Sequence, residues 1–359
     1  MAERLLTNGL QLPTLLTFYH RNKTVRGLEV KILITGGSGF IGTNLIDGLL
    51  NYGHEILNAD IVSPKKLEHF SFWVDCDVLD SRKLGKYISS FKPEWVIHLA
   101  ARTDSDGKTL EDYKVNIQGT ANLLNIIKKK KNIKRLIVTS TQFVNYGRSL
   151  PTGDEDYLPH TIYGESKVIL EQLTRNAQLD CIWTIIRPTR VWGYWQPDRL
   201  EFYRMLYRGL YIHPGRKPVT RAFGYVENVV QQIIKILAAP KETVNGKVFY
   251  VGDEPINLLD WVEGFARRIN NKRVIYVPRL FIKALAVLGD MLSNIGIPFP
   301  ISSYRYNSLI TDDDAPMKLT FDTFGYPPYT LDQAIDETVR LLKFYHPEFR
   351  GKTRFNAHK

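Results

Sequence analysis

Short apolar runs and longer helical periods take turns along the first half of this chain. Val30 to Thr35 is a nearly continuous apolar run of strand length, and Phe40 to Leu50 spaces its apolar positions as a helix does. The rhythm then predicts strands from His54 to Asp60, Phe72 to Cys76 and Trp95 to Leu99. A long amphipathic helix is predicted from Leu110 to Lys129, a strand from Arg135 to Ser140, a helix from Tyr163 to Gln178 and a strand from Cys181 to Arg187. Such βαβ alternation implies an α/β fold with a parallel, doubly wound, Rossmann-like sheet over residues 30–191. After Val191 aromatics, prolines and shorter elements take over. They predict a smaller lobe over residues 192–359, with some segments returning to the sheet. Residues 1–29 read as a tail or docking arm ahead of the first strand.

Composition narrows the class. Of 359 residues, 44% are hydrophobic and 12% aromatic, enough for a substantial core. Cys76 and Cys181 are the only cysteines, which excludes a disulfide scaffold, and no Cys/His spacing suggests zinc. A cytoplasmic location and no metal are expected. No apolar run reaches the roughly 18 residues that span a bilayer, so stable membrane insertion is not expected. The net charge of +11 is compatible with nucleic acid, a membrane surface or an anionic small substrate. The densest basic run, Lys128 to Lys131, falls at a predicted helix end, where lysines favour the helix dipole. No nucleic-acid motif accompanies it, so the run reads as a solvated helix end and no nucleic-acid partner is expected.

The stretch "ITGGSGFIGTNL" places Gly36, Gly39 and Gly42 between the first strand and the first helix. A turn of this spacing aims backbone N–H groups and a helix N-terminus at an anion such as a pyrophosphate, although a tight turn without ligand would use the same residues. The next strand ends in Asp60, 18 residues past Gly42. A carboxylate there accepts hydrogen bonds from ribose hydroxyls and repels a 2′-phosphate, favouring NAD over NADP.

"YGESK" puts Tyr163 and Lys167 four residues apart on one helix face. An ammonium near a phenol favours phenolate, so Tyr163 is expected to have a lowered pKa and to serve as general acid or base. Surface decoration would give the same pair. The context is a strand end, "IVTSTQ", where Thr141 can hydrogen-bond a substrate hydroxyl or carbonyl.

With these pieces on the page, the chain resembles the extended short-chain dehydrogenases/reductases, in the NAD-dependent nucleotide-sugar epimerase/dehydratase branch. The matching segments run in family order: "TGGSGFIG", Asp60, "DVLD" at 77–80, "HLAA" at 98–101, "NIQGT" from Asn116, "TSTQ" at 139–142, "YGESK", "RPTRVWG" at 187–193 and "RAFGYVENVV" at 221–230. The closing "FGYPPYTLDQAIDETVRLL" resembles the family's end. The resemblance implies that Gly36, Gly39, Phe40, Ile41 and Gly42 hold the NAD pyrophosphate and Asp60 the adenosine ribose. It places Asp77 and Val78 at adenine. Leu99, Ala100, Ala101 and Thr103 line the cofactor, Asn116 supports the site, and Pro188 lies near nicotinamide. Thr141, Tyr163 and Lys167 are the implied catalytic set, Lys167 also binding the nicotinamide ribose. Arg221 matches an arginine that binds substrate diphosphate, and a homodimer is the expected assembly.

Departures from the family pattern separate the reactions. Dehydratases of this branch resemble one another in an Asp-Glu pair after the catalytic Thr, whereas this chain has Gln142 and Phe143. The Glu of a decarboxylating branch and the Cys and His of a 3,5-epimerase branch are also without match. Arg190 stands where the family has Asn, and could reach a substrate phosphate. There is one extra residue around Asn145. What these departures leave is a C4 epimerase of a nucleotide-linked hexose, or a dehydrogenase/reductase of a sugar nucleotide or a sterol-like alcohol. A non-catalytic cofactor-binding regulator is the remaining reading, against which the intact Thr141, Tyr163 and Lys167 argue. The segment from Arg279 to Phe299 puts Phe281, Leu285, Leu288 and Leu292 on one helical face, suited to core packing, a subunit contact or lipid.

Overall fold

A computed structural model describes residues 29–146, 150–196, 199–297, 299 and 301–350. The tail expected over residues 1–29 lies, but for its last residue, outside the described residues. Strands β1 (Lys31–Thr35), β2 (Glu55–Asp60), β3 (Trp73–Asp75), β4 (Trp95–His98), β5 (Arg135–Thr139) and β6 (Ile182–Pro188) are joined by β11 (Lys247–Val251) in one seven-stranded sheet. Its order is β11-β6-β5-β4-β1-β2-β3, and every pairing is parallel. The central strands read as continuous apolar runs because helices cover both faces. Ile32, Ile34 and Ile97 point into one apolar cluster, Leu33, Val96 and Leu136 into the other.

Helix α1 (Phe40–Leu50) follows β1. The sequence reading does not include α2 (Ser81–Phe91), whose Asp80 cap accepts from Lys83 N at 2.9 Å. Leu84 and Ile88 are buried and, with Tyr87 and Phe91, fall at helical spacing, a period that the strand-by-strand reading passed over. The predicted helix from Leu110 to Lys129 is three pieces instead. A 3₁₀ turn (Leu110–Tyr113) leads into a π-helical turn (Val115–Gly119), and α3 (Thr120–Ile127) completes it. The apolar period is right, but buried Asn116 takes its partners from outside the helix, and π turns are frequent at functional sites. Helix α4 (Ile162–Asn176) carries the "YGESK" residues and is capped by Thr161, which accepts from Gly164 N at 3.0 Å.

Beyond Pro188 lie β7 (Arg190–Trp192), α5 (Leu200–Arg208), β8 (Ile212–Pro214), β9 (Thr220–Arg221), β10 (Phe223–Tyr225) and α6 (Val226–Ala238). After β11 come β12 (Ile256–Asn257), α7 (Leu258–Asn270), β13 (Ile275–Val277), α8 (Arg279–Asn294), α9 (Ser303–Ile310), α10 (Lys318–Phe324) and α11 (Leu331–Tyr345). Small sheets β7–β10, β8–β13 and β9–β12 stitch these elements together. Trp192, Tyr203, Trp261 and Phe265 form a second, aromatic core. Helix α6 returns to the first half and packs on α1, where a Cβ on Gly48 would lie 2.9 Å from Val230.

Candidate active site

All six sheet strands of the first half end at one edge, and the predicted site residues gather there. Gly36 follows β1, Asp60 ends β2, Asp77 and Val78 follow β3, Leu99 to Ala101 follow β4, Thr141 follows β5 and Pro188 ends β6. This carboxyl edge is where parallel α/β sheets form their ligand crevice. At Gly36 the backbone is left-handed (φ +74°), and a Cβ there would lie 2.5 Å from Ala100 N. A Cβ on Gly42 would lie 2.6 Å from Gly37 Cα, so the loop packs directly on the helix start. Gly39 caps α1 without a side-chain acceptor, which leaves the first-turn N–H groups at Phe40, Ile41 and Gly42 for an anion. Asp60 closes the turn: its carboxylate accepts from Ser38 N at 2.9 Å and from Val62 N at 3.0 Å. Burial nevertheless raises its pKa, the backbone donors opposing that shift. Cradle and carboxylate fit the pyrophosphate and adenosine ribose of NAD. Asp77 Oδ1 is bonded to Leu79 N at 2.8 Å, and Thr103 is exposed.

Tyr163 and Thr141 meet in the interior, and Lys167, one turn further along α4, is turned to the end of β5. All three are buried, and the Thr141 side chain, which accepts from Phe143 N at 3.3 Å, stands beside the phenol. The expected lowering of the phenol pKa by Lys167 is not found. Burial pushes Tyr163 up to about 12, and Thr141 is the group that opposes it. Lys167 Nζ instead donates to Thr139 O at 2.8 Å, and its own burial brings it down to about 7. A side chain so easily neutralised gives the phenol little field.

Asn116 anchors a chain of polar contacts behind this set. Its Oδ1 accepts from Arg102 N at 2.9 Å, and its Nδ2 donates to Ser166 Oγ at 2.9 Å. Ser166 Oγ in turn donates to Tyr163 O at 2.7 Å. On the other side Thr120 Oγ1 donates to Asn116 O at 2.6 Å and lies 2.9 Å from His98 Nε2, while His98 Nδ1 lies 2.7 Å from Thr35 Oγ1. Burial, then Lys167, brings His98 down to about 3, so the ring is neutral. The chain thus links the end of β1 to the tyrosine helix. Sequence reasoning singled out Asn116 but neither Ser166 nor His98, because a lone His or Ser carries no spacing signal.

On the substrate side, Arg190 does not stand free. It pairs with Asp313, lies over the Phe143 ring at 4.9 Å and shares Asp313 with Gln142, whose Nε2 is 3.2 Å from both carboxylate oxygens. Arg221 is also buried. Its Nη1 donates to Thr311 O, its Nη2 is a buried donor without a hydrogen-bond acceptor among the described residues, and burial followed by Arg190 lowers its pKa. Tyr146 and His160 stack beside them, ring centroids 4.1 Å apart. Asp313, Tyr146 and His160 were not anticipated. Asp313 arrives from 171 positions beyond Gln142, and only the register of β9 with the segment after α9 brings it in.

The chain is similar to known proteins over most of its length. Residues 32–252 match the NAD dependent epimerase/dehydratase family. A 3-beta-hydroxysteroid dehydrogenase from Mycolicibacterium neoaurum is 30% identical over 340 residues, covering 86% of this chain and 90% of that protein. An N-acetyl-alpha-D-glucosaminyl-diphospho-ditrans,octacis-undecaprenol 4-epimerase from Escherichia coli is 30% identical over 336 residues, covering 88% and 96%. Among solved structures, UDP-glucose 4-epimerase from Thermotoga maritima, determined with UDP-glucose, superposes with a TM-score of 0.69 at 22% identity, covering 88% of this chain and 99% of that one.

Proposed function

This chain belongs to the NAD-dependent epimerase/dehydratase family of enzymes, and we propose that it is a C4 epimerase of a nucleotide-linked hexose. The observation that carries the reading is the surroundings of Thr141. The positions after it are Gln142 and Phe143, and the carboxylate that reaches Gln142, Asp313, is held by Gln142 and Arg190. A carboxylate so engaged is poorly suited to abstracting a carbon-bound proton or expelling water, which supports epimerisation over dehydration.

NAD, when bound on the Gly36–Gly42 turn, supplies an acceptor and then a donor for the C4 hydride. The chain's own residues handle the proton. Thr141 and Tyr163 bind the C4 hydroxyl; Tyr163 gives its own proton to solvent, takes the C4 proton as phenolate and returns it when the hydride returns. Arg221 Nη2, buried and lacking an acceptor among the described residues, suits the substrate diphosphate. An anchor on the diphosphate lets the ketone turn its other face while the nucleotide stays put.

A second reading, oxidation of a steroid-like secondary alcohol, is favoured by the hydroxysteroid dehydrogenase relative and uses the same Thr141, Tyr163 and Lys167. One experiment separates the two. Purified protein with UDP-hexoses is followed by NADH absorbance and by sugar analysis. The epimerase gives the C4 epimer at unchanged absorbance. Stoichiometric NADH with an alcohol substrate, and no epimer, overturns it in favour of the dehydrogenase.

A further inference from the structure

We propose that α8 is an interfacial helix that seats this protein on the surface of an anionic lipid bilayer. The inner side of the helix is fixed. Ile282 and Ala286 are buried with Tyr306 of α9, and a Cβ on Gly289 would lie 1.9 Å from Ile301 O. That close approach locks the rotation of the helix about its axis. The outer side is therefore presented to solvent, yet it is apolar. Leu280, Phe281, Val287, Leu288 and Met291 are exposed, Leu280 at 80% and Met291 at 61%, and Ile295 continues the patch at 71%. At helical spacing these positions form one arc without a charged residue, and Lys283 sits at its border. A contiguous apolar patch of this kind marks an interaction site.

Charge selects the occupant. On α8 itself Arg279 and Lys283 are basic, and the helix carries a single carboxylate, Asp290. Asp290 is turned inward and accepts from Ser303 N at 3.1 Å. At the start of the helix Arg279 holds Pro214 O and Lys217 O at 3.3 and 3.4 Å, which gathers Lys217 to the same end. Arg216 lies over the Tyr276 ring at 4.5 Å. An apolar face with a basic rim is the pattern that dips into the headgroup boundary while the rim meets lipid phosphates. A second copy related by a two-fold axis would set one basic rim against another, so self-association is disfavoured by the same charges. None of the helices among the described residues is long and apolar enough to cross a membrane, so the helix lies on the bilayer.

The test is flotation of the full chain with vesicles of phosphatidylcholine alone or mixed with phosphatidylglycerol. The protein floats with the anionic vesicles and much less with the neutral ones. The double substitution Leu288→Glu with Met291→Glu abolishes flotation without changing the melting temperature. Lys283→Gln weakens it by about fivefold, the loss typical of one basic residue near an anionic surface. Phe281→Trp gives an emission that shifts to the blue on anionic vesicles and is quenched by brominated acyl chains. Absence of flotation with anionic vesicles, or flotation that the double substitution leaves intact, overturns the proposal. A concentration-dependent dimer that the double substitution disperses, without flotation, overturns it in favour of a second copy.

Discussion

Tyr163 is buried so completely that its phenol lies near 12, and the hydroxyl of Thr141 is the neighbour that lowers it. The free protein should therefore show no phenolate from this residue between pH 7 and pH 9. The measurement is the ultraviolet difference titration of the native protein against Tyr163→Phe. Because Lys167 faces Thr139 O, Lys167→Met should leave that titration unchanged; a phenolate signal near neutrality that vanishes in Lys167→Met would restore the expectation drawn from the pair alone. Tyr163→Phe should also cost turnover about 10²–10⁴-fold, the usual share of a general acid or base, with NAD binding nearly intact. A loss under tenfold would assign the proton to another group. At Asp60 the expected preference is NAD(H) over NADP(H), narrowed by Asp60→Ala in a nicotinamide fluorescence titration. Equal or tighter NADPH binding by the native protein counts against the carboxylate's role. These residues were legible because each belongs to a local spacing: glycine turn, strand-end acid, Tyr-Lys pair. Asp313 was not, because its position depends on a strand register set far along the chain.

The turn around Asn116 shows how an element can be periodic and still not be a regular helix. Apolar spacing from Leu110 to Lys129 is sound, and Tyr113, Leu123, Leu124 and Ile127 are buried as it predicts. Periodicity does not report which carbonyl each N–H reaches, so the π turn is invisible to it. Its consequence is positional: it sets Asn116 where Arg102 N, Arg102 O and Ser166 Oγ converge. Asn116→Leu keeps the approximate volume and removes all three bonds. It should destabilise the protein by about 1–3 kcal/mol, the cost of buried polar groups left without a partner. Urea unfolding measures this, and an unchanged midpoint would mean that water replaces the amide. Helix α2, by contrast, was legible: Leu84, Tyr87, Ile88 and Phe91 keep helical spacing behind the Asp80 cap.

Across the whole molecule the two halves meet at α6, and a half-buried carboxyl sits in that joint. Glu227, at the start of α6, is raised to about 7 by burial, then by Asp47 of α1 and Glu337 of α11, with Lys66 opposing. The looser rhythm after Val191 made the second half legible only as a lobe, because short strands and aromatic clusters carry little period. Nothing local announces that α6 packs on α1, and so the carboxyl's burial was not legible either. The consequence for stability has a definite sign. An unfolded Glu ionises near 4.5, so between pH 4.5 and about 7 the folded protein holds a proton here that the unfolded chain has lost. The stability contributed by protonated Glu227 is complete below pH 4.5 and is lost as pH rises through about 7, where folding must bury a charge. Glu227→Gln is always neutral and escapes that loss. The stability difference between the variant and the native protein should thus grow in the variant's favour from pH 4.5 to pH 8, then level off. Paired urea titrations across that range read it directly, since other ionisable groups cancel in the difference. A flat difference would mean that Glu227 reaches water or a cation at the joint, and a difference that falls with pH would reverse the sign of its environment.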